Sequence, residues 1–197
     1  QAVIDWQRRR HNFEVEKDWI LTSPGVVSAF YAAVRAYTQP GEGVIIMTPV
    51  YYPFFGAIEN AGRKIIRNPL LNRADDYTID FKGLEHLCRK KENKLIIFCS
   101  PHNPVGRVWT EEELARLADI VLRYDMIIVA DEIHHDLIMP GYEHKVFQTL
   151  SHAVAERTIT CTSPSKTFNL AGLCTSNIII KNEALRKKMS DALGSVA

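Results

Sequence analysis

An excess of charge of either sign is missing from this sequence. Its 24 lysines and arginines face 23 aspartates and glutamates, for a formal net charge of +1. With no basic surplus there is no electrostatic footprint for nucleic acid or an anionic membrane surface. The one dense basic cluster, Arg8-Arg9-Arg10, reads as a solvated helix end. No apolar run reaches the ~18 residues that a membrane-spanning helix needs, and no signal-peptide pattern opens the chain. Cysteine is scarce: none of Cys88, Cys99, Cys161 and Cys174 forms a Cys-x-x-Cys pair, which leaves no paired-thiol motif. They read as reduced, mostly buried packing thiols of a cytoplasmic protein. Internal repeats, low-complexity stretches and obvious linkers are also missing, so the 197 residues are treated as one domain. The chain starts at Gln1 rather than methionine and stops at Ala197 just after a helix-like segment, as a piece of a longer protein would.

The sequence is rich in short apolar runs. Hydrophobic residues make up 46% and charged residues 24%, ordinary for a soluble globular protein. From Gly25 onward, strand-like runs alternate with helix-like ones. The clearest strands are 44–48, 95–99, 126–130, 158–162 and 177–180, several of them continuously apolar, as strands covered on both faces should be. The spacing of Leu114, Leu117, Ala118 and Val121 predicts a helix over 111–124, with Thr110 and Glu113 as its capping box. Further helices are expected after Asp80, from Leu84 and Leu87, and over 184–193. Turn signals fall at 40–43, 72–76 and 140–141. This order argues for an α/β domain, a three-layer α/β/α architecture around a mostly parallel sheet.

Such sheets bind ligands beyond the carboxyl ends of their strands, and three polar side chains stand at such ends. Lys166 follows the run Thr158-Ile-Thr-Cys-Thr and the turn Ser163-Pro-Ser165. Asp131 follows 126–130. Asn103 lies in Ser100-Pro-His-Asn103-Pro-Val-Gly106, after 95–99. A lysine that can form a Schiff base, a carboxylate and an amide are what pyridoxal phosphate requires. The carboxylate keeps the pyridine nitrogen protonated, so that the ring acts as an electron sink. The amide of Asn103 can donate to the ring's 3-oxygen, and His134 can reach the same atom. Phosphate donors are expected from Ser163 and Ser165 and from the amides of Val26 and Val27, where Thr22-Ser-Pro-Gly25 leads into a helix-like run. Tyr51 can stack on the ring.

Each residue alone has a plainer reading. Lys166 is a surface lysine, Asp131 a helix N-cap, and Asn103-Pro104 a turn. Tyr51 joins Tyr52, Phe54 and Phe55 as core. His134-His135-Asp136 suggests a metal site, but neighbouring residues on a helix point apart, so no metal is expected. The argument rests on their appearing together at strand ends.

The same stretches carry a resemblance. Ser163-Pro-Ser-Lys166-Thr-Phe, Asn103-Pro-Val-Gly106 and Asp131-Glu-Ile-His134 resemble the fold-type I pyridoxal-phosphate enzymes of the class I/II aminotransferase superfamily. Thr48-Pro-Val-Tyr-Tyr-Pro-Phe-Phe55, Cys99-Ser-Pro-His-Asn-Pro-Val-Gly-Arg-Val-Trp109 and Asp131-Glu-Ile-His-His-Asp-Leu137 look like its MalY/PatB branch of cysteine-conjugate β-lyases, close to cystalysin. The resemblance implies that Lys166 is the Schiff-base lysine, Asp131 the partner of the pyridine nitrogen, Asn103 the ligand of the 3-oxygen and Tyr51 the stacking ring. Ser163, Ser165, Val26 and Val27 become phosphate contacts. Two departures bear on the activity. Ordinary aminotransferases carry a tyrosine where His134 stands, and an arginine two residues after the glycine matching Gly172, where this chain has Cys174. Both favour the lyase branch. Family members also run to roughly twice this length, so residues 1–197 match the cofactor-binding large domain, without the family's N-terminal segment, C-terminal small domain and carboxylate-clamping arginine.

The expected activity is β-elimination from cystathionine or cysteine-type amino acids to a thiol, pyruvate and ammonia, with Lys166 as general base. One alternative is an aminotransferase. Another, of a different class, is a regulatory protein that keeps this fold and binds a partner. The resemblance implies a homodimer in the full-length protein, and these residues by themselves are expected to be inactive.

Overall fold

The computed structural model describes residues 1–73 and 76–194. Seven strands form the main sheet. They are β1 (Ile20–Ser23), β2 (Gly43–Ile46), β3 (Lys64–Arg67), β6 (Asn93–Cys99), β7 (Ile127–Asp131), β8 (Thr158–Thr162) and β9 (Ser176–Ile179), in the order β1-β9-β8-β7-β6-β2-β3. A separate hairpin pairs β4 (Leu71–Arg73) with β5 (Asp76–Thr78). The centre of the turn expected over 72–76 lies outside the described residues.

The pairings from β3 through β2, β6 and β7 to β8 are parallel. β9 pairs antiparallel to β8, and β1 antiparallel to β9. The expectation of a mostly parallel sheet holds, with an antiparallel edge that periodicity does not reveal. The eight helices among the described residues are α1 (Ala2–His11), α2 (Val26–Tyr37), α3 (Pro53–Glu59), α4 (Phe81–Cys88), α5 (Glu111–Arg123), α6 (His152–Ala155), α7 (Pro164–Thr167) and α8 (Glu183–Gly194).

Strand side chains alternate between two cores, as a pleated sheet requires. Val44, Ile46, Leu95 and Ile97 pack with Phe30 of α2, Phe54 of α3 and Met189 of α8. Ile45, Ile96, Phe98 and Ile128 pack on the other face with Leu84 of α4 and Leu114 and Leu117 of α5. This is the expected three-layer sandwich, and it explains why the strands read as unbroken apolar runs. Local signals set the helix ends. Thr110 and Glu113 form the reciprocal capping box, a device whose loss costs about 1 kcal/mol. Asp80 caps α4 by accepting from the Gly83 amide. Arg8, Arg9 and Arg10 lie exposed in the last turn of α1.

Register fixes what stands beside Asp131. Cys99 of β6 pairs with Asp131, and Asp131 pairs with Cys161 of β8. The last residue of the central strand is therefore flanked by two thiols, both buried and both pushed well above the ordinary thiol pKa by burial. Cys88 is buried too, but Cys174 is exposed, which corrects the view of that thiol as a packing residue. Cys174 adopts the left-handed conformation, φ 44°, at the end of a short 3-10 turn.

Candidate active site

A cavity of about 290 Å³ opens at the carboxyl ends of the central strands. All nine expected site residues line it. β7 supplies Asp131, and the turn after it supplies His134. The loop after β6 supplies Asn103, and Tyr51 comes from just before α3. Val26 and Val27 begin α2, and Ser163, Ser165 and Lys166 belong to the turn after β8. The fold thus joins positions more than a hundred residues apart, because parallel strands place all their carboxyl ends on one edge.

Asp131 is 2% exposed. The one hydrogen bond to its carboxylate among the described residues comes from the Ile133 amide, 3.3 Å from Oδ1. Among the described residues no cation pairs with it, and burial pushes its carboxyl up to about 7, with the Ile133 amide holding it down and Glu132 adding to the rise. A buried carboxylate at the wall of a cavity without a counter-charge is set to meet a cationic group there. A protonated pyridine nitrogen carries the kind of charge this side chain lacks as a partner. The expectation that Asp131 caps a helix is not met: residues 133–136 form a turn.

Tyr51 is held edge-on by Tyr52 and Phe54, with centroids 5.4 and 6.1 Å away. Burial raises its hydroxyl pKa, as do the nearby Tyr52 and Asp131. His134 is half-buried, and its pKa is lowered by burial, by Lys166 and by His135, so its imidazole is neutral near pH 7. Lys166 makes no hydrogen bond or ion pair among the described residues and is the one lysine or arginine that lines the cavity among them.

At the far end Gly25 takes φ +89°, where a β-carbon would meet nothing within 4 Å. It leads into α2, whose first turn has no side-chain cap. The amides of Val26 and Val27 are thus placed as an uncapped helix N-terminus suited to an anion. Ser163 has a different task. Its Oγ donates to the Thr175 carbonyl at 2.7 Å and accepts from the Ser165 amide at 3.0 Å. Its proton is committed to shaping the turn, whereas the Ser165 hydroxyl makes no hydrogen bond among the described residues.

Residues 1–196 match the family described as aminotransferase class I and II. The chain belongs to that family. Among curated proteins it is 44% identical over 192 residues to cystathionine beta-lyase PatB of Bacillus subtilis, covering 98% of the chain and 50% of the relative. It is 32% identical over 192 residues to protein MalY of Escherichia coli, covering 98% and 48%. Among solved structures it resembles cystalysin of Treponema denticola, which contains a pyridoxal 5′-phosphate cofactor, with TM-score 0.97 and 54% identity over 98% of the chain and 49% of that protein. Within the class I and II aminotransferase family, the chain falls in the MalY/PatB-like branch, close to cystalysin. It spans about half the length of the curated relatives it matches.

Sequence reasoning missed a second set of residues behind Lys166. Thr167 Oγ1 donates to Asp136 Oδ2 at 2.6 Å. Trp6 Nε1 donates to both Asp136 oxygens, at 3.2 and 3.1 Å, and His11 Nε2 to Oδ1 at 2.8 Å. His134 and His135 do point apart, His134 toward the cavity and His135 toward His11, with ring centroids 4.2 Å apart. No sequence signal announces these contacts, because Trp6 and His11 precede Asp136 by more than a hundred residues.

Proposed function

We propose that this chain is the cofactor-holding large domain of a pyridoxal-phosphate-dependent carbon–sulfur β-lyase acting on cystathionine or cysteine-type amino acids. The unpaired, buried Asp131 on the wall that Lys166 also lines carries the reading. When bound, the cofactor supplies an electron sink for the pair of electrons left at the substrate's α-carbon.

The chain's own residues then have distinct tasks. Lys166 would hold the cofactor through its Nζ and, as a free amine, would take the substrate's α-proton. Asp131, ionised beside the ring nitrogen, keeps that nitrogen's proton in place. Tyr51 would cover one face of the ring. Asn103 would donate to the 3-oxygen, with His134, uncharged near pH 7, beside it. The Val26 and Val27 amides and the Ser165 hydroxyl would hold the phosphate, while Ser163 keeps the turn in shape. Loss of the α-proton drives the thiolate from the β-carbon. Addition of one water then completes the balance to thiol, pyruvate and ammonia.

Support for the lyase over the aminotransferase comes from His134 and from Cys174, which lines the phosphate end where ordinary aminotransferases carry an arginine. It comes also from a second cavity of about 440 Å³ that shares Asn103 and His134 and is bounded by Leu137, Met139 and Tyr142. It offers an apolar path for a thioether side chain. Tyr52, Leu137, Met139, Tyr142 and Leu173 are exposed, apolar surface whose burial would support a homodimer. The test is pyruvate release from cystathionine by the full-length protein, without a keto-acid acceptor. Lys166→Ala should abolish it. Turnover only when a keto acid is added would make the protein an aminotransferase instead.

A further inference from the structure

Lys166 projects from α7, a turn of four residues. The two residues that follow the lysine are anchored. Thr167 is bound to Asp136, and the Phe168 ring meets Trp6 edge-on with centroids 5.0 Å apart. These anchors are joined to each other, since the Trp6 indole donates to Asp136. Between α1 and the turn lies a cavity of about 410 Å³, lined by Val3, Trp6, Pro164, Thr167 and Phe168. Packing of the turn on α1 is interrupted there, and among the described residues this hydrogen bond and ring contact help tie the two together.

The Asp136 side chain is 4% exposed. Both of its oxygens take N–H or O–H donors, from Trp6, His11 and Thr167. His11, His135 and Asp136 do bring their ligating atoms within 4.8 Å of one another. A cation there would have to displace these donors, so the group is fully used as a hydrogen-bonded hub.

We propose that Asp136 is a positioning residue for Lys166: it holds the lysine's turn through Thr167, while Trp6 and His11 of α1 fix the carboxylate. Asp136 touches no reacting atom. It acts by keeping the amine of Lys166 where the cofactor's aldehyde arrives, and hydrogen bonds to an ionised carboxylate are strong enough to set such a geometry. The proposal rests on Lys166 being the residue that takes the cofactor.

The experiment follows attachment rather than turnover. The intact protein, freed of cofactor, is mixed with pyridoxal phosphate and quenched with borohydride at intervals. The peptide carrying the reduced group is then quantified by mass spectrometry. In parallel, the reactivity of Lys166 toward a small amine-directed reagent is measured against pH. All variants are assayed at a temperature where thermal melts show them folded. Thr167→Val should slow attachment at Lys166 by about tenfold and shift its labelling profile, leaving other lysines unchanged. Thr167→Ser, which keeps the hydroxyl, should recover most of the rate, and Asp136→Asn should match Thr167→Val. Equal behaviour of the Val and Ser variants, or a wild-type rate for Thr167→Val, would overturn the brace alone. Attachment at a different lysine in the unmutated protein would overturn the reading of Lys166 and the brace with it.

Discussion

Asp131 ends β7 between two buried thiols, whereas Asp136, on the turn that follows, collects donors from Trp6, His11 and Thr167. Burial works to raise the pKa of both. For Asp131 little opposes it, and the carboxyl rises to about 7. For Asp136 the Thr167 hydroxyl, His135 and His11 outweigh burial, and the pKa falls below the usual carboxylate value. Two identical side chains five residues apart have thus been given opposite work. One is left with an unmet electrostatic demand that a ligand can satisfy. The other has its demand met within the fold and serves as a fixed point. Unmet demand destabilises the free protein, and that cost is the mark by which Asp131, rather than Asp136, is proposed as the functional carboxylate.

The sharpest way to break this contrast is to remove one charge at a time. Asp131→Asn should lower pyruvate formation from cystathionine by about a thousandfold, yet raise the melting temperature of the cofactor-free protein. A lower melting temperature would mean that Asp131 is paired in a way the structure does not contain.

The pH dependence of stability sharpens it further. An unfolded chain ionises Asp131 near the ordinary carboxyl value, while the folded, cofactor-free protein keeps it protonated up to about 7. The folded state binds the extra proton between these limits, so stability should fall as pH rises through that window, by at most about 4 kcal/mol. His11 works in the opposite direction. Burial, with His135 assisting, holds it at about 4 instead of 6.5. The unfolded state binds the extra proton there, so stability is lost as pH falls from 6.5 toward 4. Chemical denaturation across pH 4–8 should therefore give partly cancelling slopes. In Asp131→Asn only the fall on acidification should remain, and cofactor binding should produce the same flattening above pH 6.5.

Asp136→Asn should destabilise the protein by about 2 kcal/mol, the opposite sign to Asp131→Asn, as read from denaturation midpoints. A gain in stability would place Asp136 in the same class as Asp131. The smallest effect expected concerns the thiols. Cys174 should react with a thiol reagent in the folded protein, while Cys99 and Cys161, on either side of Asp131, and Cys88, pushed up to about 12 by burial, should not. Pyridoxal phosphate should slow the labelling of Cys174.

Much of the fold was legible because its signals are local. The strand at 158–162 was read with its observed limits, and the helix at 111–124 overran α5 by one residue. Capping chemistry and unbroken apolar runs depend only on neighbouring residues, and they also imply the two covered faces of the sheet. β1, β3 and the antiparallel edge escaped notice. A four-residue strand such as Lys64–Arg67, with charged ends, has no distinctive period, and strand direction is set by the connection rather than by composition. The gathering of the candidate site was legible too. All nine expected residues line one cavity, because strand ends can be located in sequence and parallel strands gather them on one edge.

The sequence by itself determined the alternation of strand and helix, the set of polar groups at strand ends and, through motif resemblance, the chemistry those groups suit. Tertiary structure decided what each group experiences. Nothing in Asp131-Glu-Ile-His-His-Asp136 distinguishes its two aspartates. Strand register put Cys99 and Cys161 beside the first, and the packing of α1 brought Trp6 and His11 to the second. A pKa and a hydrogen-bond partner are properties of the space around a side chain, and contacts between residues distant in sequence fill that space only when the chain has folded.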